Sequence, residues 1–160
     1  MKDLVAIAEK ISVKLIARKQ TIAVAESSTG GLISASLLAV PGASAYFLGG
    51  AVVYTRDARR ILADIPDEAM KGIRSASEPY ARLLASHIRH RFSSDWSLSE
   101  TGAAGPTGNR YGDAAGHSCM AVAGEAVSAI TLETGSADRL GNMHVFAATA
   151  LNLLLQNLSR

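Results

Sequence analysis

The sequence predicts an α/β domain, and three observations carry that prediction. A short β-branched run, TIAVA at 21–25, leads straight into the polar, glycine-ended segment 26–31 and then into a helix-compatible stretch at 32–40. A second glycine-rich segment, 101–116, follows a further strand-like run, DWSLSE at 95–100. The chain has 160 residues, 48% apolar and 19% charged, enough for one compact core without metal or disulfide staples. One domain over 1–160 is therefore expected.

The elements follow in order. Residues 3–19 set Leu4, Ile7, Ala8, Ile11, Leu15 and Ile16 at three- and four-residue spacing, an amphipathic helix. After the strand at 21–25 and the helix at 32–40, Pro41-Gly42 ends the helical run. Residues 49–55 read as a second strand, followed by a basic helical turn at 56–65. Ser77 as N-cap, with Glu78 and Pro79 in the first turn, predicts a helix over 77–92. The segment 95–100 is the third strand. Residues 117–123 and 126–133, joined through Gly124-Glu125, read as an antiparallel hairpin. The last helix, 138–158, places Val145, Ala148, Leu151, Leu155 and Leu158 on one side.

Composition excludes several functions. Sixteen Lys and Arg against fourteen Asp and Glu leave a net charge of +2 without a long block of either sign, so no nucleic-acid-coating surface is indicated. Cys119 is the lone cysteine, so no internal disulfide forms, and no Cys/His cluster has zinc-ligand spacing. The N-terminal residues carry charges every few positions. They lack the ~18 apolar residues of a membrane span and the core of a signal peptide. A cytoplasmic protein with no membrane or nucleic-acid partner is expected.

Two glycine loops hold the chemistry. In the first, Glu26, Ser27, Ser28, Thr29, Gly30 and Gly31 either cap the following helix or offer hydroxyls and amides to an anion. It has no Lys-Ser/Thr after the glycines and no G-x-S-x-G elbow. In the second, five of the sixteen residues 101–116 are glycine, too many for helix or strand, so the segment is either a ligand-wrapping loop or a mobile connection. Arg56, Arg59 and Arg60 beside Tyr54 form either a phosphate-binding turn or a surface cluster. His87 and His90 read as part of a solvated basic face, His144 as a rim residue and Cys119 as a buried thiol. His117 follows the second loop and could face a pocket.

The motifs AESSTGG (25–31), PGAS..F.GG.V.Y (41–54) and TGAAGPTG (101–108), in this order, resemble those of the CinA C-terminal domain family. The resemblance covers about residues 3–158. It implies a three-layer α/β/α fold with a mixed, mainly parallel sheet, and hydrolysis of nicotinamide mononucleotide to nicotinic acid mononucleotide and ammonia, without metal or cofactor. It also implies a homo-oligomer, and against the longer members of the family the expectation here is a single domain over 1–160 with no N-terminal partner domain. The family's serine nucleophile falls on Ser27 and its motif tyrosine on Tyr54. Its proton-accepting lysine falls on Arg59.

By the same resemblance, Glu26, Ser28, Thr29, Gly30, Gly31, Thr101, Gly102, Gly105 and Arg139 are expected to contact the ligand. The sequence departs from the family at the dyad, at Asp113-Ala114-Ala115-Gly116-His117, and at Met143, where the family has a second arginine. A guanidinium stays protonated and cannot take a proton from Ser27. The expectation is thus a weakened or altered amidohydrolase, with Glu26 or His117 as replacement base. The alternative is a non-catalytic nucleotide-sensing or partner-binding member.

Overall fold

The computed structural model describes residues 1–160. Strands β1 (Ile22–Glu26), β2 (Phe47–Val52), β3 (Trp96–Ala103), β4 (His117–Ala123) and β5 (Val127–Glu133) form one sheet in the order β2-β1-β3-β4-β5. β1 runs parallel to both β2 and β3, and the β3–β4 and β4–β5 ladders are antiparallel. Four strands therefore point one way and β4 the other. This is the mixed, mainly parallel sheet expected.

Helices cover both faces. α1 (Lys2–Arg18), α2 (Leu32–Leu38) and α5 (Arg139–Asn157) bury Leu4, Ile11, Leu15, Ile33, Leu37, Leu151 and Leu154 against Ile22, Val24, Leu98, Met120 and Val122. α3 (Arg56–Ala63) and α4 (Glu78–Phe92) cover the other face, where Ala63, Tyr80, Leu84 and Ile88 meet Ala23 and Ala25. The Ser77 hydroxyl accepts from Tyr80 N at 3.3 Å, the cap expected for α4. Small residues on its inner face, Ala81 and Ala85, let the helix approach closely. The Ser99 and Ser97 hydroxyls of β3 donate to their carbonyls at 2.6 and 2.7 Å. Of the helices, none is long and apolar enough to cross a membrane.

Three sequence expectations need correction. Val145 is 42% exposed, and α5 turns a different stripe inward, with Phe146, Ala147, Ala150, Leu151 and Leu154 buried. That helix packs on α1, α2 and the sheet at once, so its buried stripe is wider than one row of aliphatic residues. β2 runs from Phe47 to Val52, earlier than the predicted 49–55, because its ladder with β1 starts at the Ile22–Phe47 pair and, after a shift of register, runs from Ala23–Gly49 to Glu26–Val52. β3 continues through Gly102 to Ala103, so the second glycine segment begins as strand. Gly102 is needed there: a Cβ would lie 2.5 Å from the His117 carbonyl oxygen of the neighbouring strand.

Candidate functional site

β1 and β3 are adjacent and parallel, and β1 leads to β2 on its other side. The chain order therefore reverses between β1 and β3, where α/β sheets open a crevice at the carboxyl ends of the strands. Side chains alternate across the sheet. The alternation sends Glu26 and Glu100 to the α2 side, and Ser27 and Thr101 to the α3/α4 side.

On the α2 side the two carboxylates are buried. The N-cap of α2 is Gly31 at φ 103°, a left-handed position that suits glycine and carries no capping oxygen. Glu26 supplies the oxygens instead. Its Oε2 accepts from Gly31 N at 3.0 Å and Ile33 N at 3.1 Å. Its Oε1 accepts from Ser34 N at 2.9 Å and the Ser34 hydroxyl at 2.7 Å. Glu100 ties down the loop from below: its Oε2 accepts from Ser27 N at 3.1 Å and Thr29 N at 3.0 Å.

The Glu100 Oε1 accepts from the hydroxyls of Ser28 at 2.5 Å and Ser118 at 2.9 Å. Burial pushes the Glu100 carboxyl above its ordinary range, against the pull of these hydrogen bonds. The Thr29 hydroxyl lies 2.7 Å from Glu26 and 3.1 Å from Glu100 but has one proton to give, so it donates to one of the two carboxylates at a time. The predicted hydroxyl cap is thus a carboxylate cap, and Ser28 and Thr29 are bonded inward.

On the α3/α4 side lies a cavity of about 580 Å³, within the usual range of small-molecule sites. Of the residues singled out in the sequence, Ser27, Tyr54, Arg56, Arg59, Thr101 and Gly102 line it together. The Ser27 amide is fixed by Glu100, while no protein group accepts from its hydroxyl. The Arg59 side chain, on α3, is 10% exposed and donates through Nη2 to Asp67 at 2.5 Å. Its Nε is buried without any partner. Asp67 also binds Arg56, whose guanidinium holds its carboxyl below the usual range, and Arg60 lies 3.8 Å away. Thr101 is drawn in by Ala76 N, which donates to its hydroxyl at 3.2 Å.

The remaining expected residues lie outside the cavity lining. Glu26, Ser28 and Thr29 are bonded to the loop and α2, and Gly30 and Gly31 lead into that helix. Arg139, at the start of α5, donates to the Gly105 carbonyl at 2.6 Å and reaches the Tyr54 hydroxyl at 3.5 Å. His117 is buried behind the cavity with both ring nitrogens engaged, Nδ1 by Glu133 and Nε2 by the Ala76 carbonyl at 2.8 Å. Neither Glu26 nor His117 lines the cavity. Cys119 is buried, and burial pushes its thiol up.

Sequence reading missed Arg74, Tyr80, Arg110 and Tyr111, all in the lining. Tyr80 sits on α4, and burial pushes its hydroxyl up to about 12. Arg74 pairs with Asp113 at 2.6 Å. The Tyr111 ring has two guanidiniums near it, Arg74 at 5.4 Å and Arg110 at 5.1 Å from its centroid. Adjacent Arg110 and Tyr111 within a glycine loop were the one visible signal.

The sequence profile described as "CinA C-terminal domain" matches residues 4–158. The chain belongs to the CinA C-terminal domain family. A CinA-like protein from Synechococcus sp. (strain CC9902) is 41% identical over 105 residues, 66% of this chain and 25% of that protein. A CinA-like protein from Acidobacterium capsulatum is 36% identical over 141 residues, 88% of this chain and 34% of that protein. The chain thus spans about a quarter to a third of such CinA-like relatives.

Among solved CinA structures, the competence/damage inducible protein CihA from Agrobacterium tumefaciens superposes with a TM-score of 0.90 at 27% identity, covering 99% of this chain and 96% of that one. The competence-damaged protein (CinA) superfamily protein from Enterobacter cloacae gives 0.90 at 26%, covering 97% and 92%.

Proposed function

We propose that this CinA domain binds nicotinamide mononucleotide, or a similar phosphorylated small molecule, in the cavity lined by Ser27, Tyr54, Arg59 and Thr101, with amide hydrolysis slowed by the guanidinium at position 59. The observation that carries the reading is the shared cavity. Ser27 leaves β1 with its amide held by Glu100, and Arg59 reaches the same space from α3. Attack on an amide carbon needs the Ser27 proton to leave as the Oγ–C bond forms, and Arg59 has no lone pair free to take it. What Arg59 supplies is fixed positive charge for an anionic group. The open Ser27 hydroxyl and the inward bonding of Glu26 and His117 favour a second outcome, a nucleotide-binding member without turnover.

The test is ammonia release from nicotinamide mononucleotide, paired with calorimetric binding. The expected wild-type result is binding with a rate near the no-enzyme control. Arg59→Lys, which restores a titratable amine, should raise the rate by about 10²-fold or more, and Ser27→Ala in that background should abolish the gain. Brisk turnover by the wild type would overturn the account of Arg59. Absence of nucleotide binding would remove the reading altogether.

A further inference from the structure

We propose that the β2 edge of the sheet is a pairing surface for a second copy of this chain, with β2 of one copy lying antiparallel to β2 of the other across a two-fold axis at Gly50. The two edges of the sheet are finished differently. At β5, Arg82 donates to the Val127 carbonyl at 2.7 Å, and Ser128, Thr131 and Glu133 carry polar side chains bonded to neighbouring elements. At β2, the run Phe47-Leu48-Gly49-Gly50-Ala51-Val52 holds no charge, no hydroxyl and no proline, and its only hydrogen-bonded neighbour is β1. Such an edge is a template for another strand, and monomers blunt theirs with charges or proline.

Apolar side chains gather around this edge. Ser34 of α2 stands against Gly50 and Gly31 against Val52, so Leu38, one turn beyond Ser34, reaches the start of β2. On the other face the Phe92 ring lies against Gly49, and α3 packs on β2 with Ile61 and Leu62 turned out. Leu38, Leu48, Val52, Ile61, Leu62 and Phe92 are 37–69% exposed. They are six of the fourteen exposed large apolar residues of the chain, and their concentration on one border marks a contact surface. At roughly 200 Å² for a large apolar residue they leave on the order of 600 Å² uncovered, which the strand's own backbone brings close to the ~800 Å² per partner of a standard interface.

Charge and shape select the occupant. The charges on and beside α3 are paired among themselves, Asp57 with Arg60, Asp64 with Arg91, and Asp67 with Arg56 and Arg59. A strongly acidic or basic partner meets no opposing field there, while a second copy meets no repulsion. The edge also complements itself. Its register with β1 shifts before Gly49 and is regular from Gly49 to Val52. With Gly50 opposite Gly50 on the axis, Gly49 lies opposite Ala51, so neither bulk nor like charge meets at the centre. Leu48 of each copy then lies beside Val52 of the other, and the two sheets join into one.

The experiment is sedimentation equilibrium of the wild-type chain from about 1 to 100 μM, with circular dichroism confirming the fold of each variant. The wild type is expected to be a dimer in the upper part of this range. Val52→Lys and, separately, Leu48→Glu each put unpaired charge into the contact and should weaken dimerisation by about 100-fold or more. An equimolar mixture of the two variants should recover a dimer, because the new charges face each other across the axis. Val13→Lys, on the exposed side of α1, should leave association unchanged. A wild type that is monomeric at the top of the range overturns the proposal and leaves the edge to a different chain. A dimer that survives both substitutions overturns it by placing the contact elsewhere, and a mixture that stays monomeric overturns the antiparallel pairing.

Discussion

The ends of β1 and β3 face two ways, and the two sides are finished differently. Towards α2, Glu26 and Glu100 gather the amides of Ser27, Thr29, Gly31, Ile33 and Ser34 and the hydroxyls of Ser28, Thr29, Ser34 and Ser118, leaving no buried polar side-chain atom on that side unbonded. Towards α3, one carboxylate is shared by arginines and a buried guanidinium nitrogen stays unbonded. The first side is complete without a ligand and holds the loop in place. The second leaves one donor without an acceptor and gathers arginines around the cavity. The same two strands thus separate support from recognition, because neighbouring residues on a strand point to opposite faces.

The sharpest way to break this contrast is to remove the support. Glu26→Ala strips acceptors from the amides of Gly31, Ile33 and Ser34 and from two hydroxyls at the start of a seven-residue helix that has no other side-chain cap. Leaving several buried donors unpaired is expected to cost about 3 kcal/mol or more, read as a lower urea midpoint at unchanged slope. Arg59→Gln, on the recognition side, should cost far less by the same measurement. Equal losses would mean that the Arg59 cluster is structural after all.

Glu100 gives the next largest effect, and its sign is distinctive. Its folded pKa is raised by burial above the ordinary 4.5, so between 4.5 and the folded value the native state holds a proton that the unfolded chain has released. Stability therefore falls as pH rises through that window, by about 1.4 kcal/mol for each unit separating the two values. Glu100→Gln keeps the shape and removes the titration. Its unfolding free energy should lose this downward slope above pH 4.5, measured against the wild type across the acid range. A wild type that instead gains stability over the same window would show an ionised Glu100.

The elements that were legible in sequence are those whose causes are local. Ser77 and Pro79 announce α4 within three residues, and the glycine loops mark the strand ends that open the cavity. Glu100 was illegible because a glutamate in a short polar run gives no hint of burial, and its partners Ser27, Ser28 and Thr29 lie 73, 72 and 71 residues away. Arg74 was missed for the same reason, since Asp113 is 39 residues distant. The α5 face was misread because the row starting at Val145 is plausible for a helix on one neighbour, while this one packs on several. Long-range polar pairing leaves no periodic trace, and both sides of the site depend on it.

The smallest expected effect sharpens the border between the two regions. His117 stands at the start of β4, behind the cavity wall, and is faced by Glu133, by the Ala76 carbonyl and by Asp113 at 3.6 Å, with the Cys119 thiol 3.7 Å from Nε2. Burial works against its charge, but the Glu133 hydrogen bond, the carbonyl and Asp113 together raise its pKa above 6.5. Its contribution to stability is then fully present below pH 6.5 and is lost as pH rises through the folded value. The loss should be shallower than the Glu100 window, because Glu133 is 58% exposed and water screens that pair. An NMR titration of the imidazole should give a midpoint above 6.5 in the wild type, moving down in Glu133→Gln. A midpoint at or below 6.5 would mean that burial outweighs the three acceptors, so that the Ala76 segment of the cavity wall is held by a neutral ring at neutral pH.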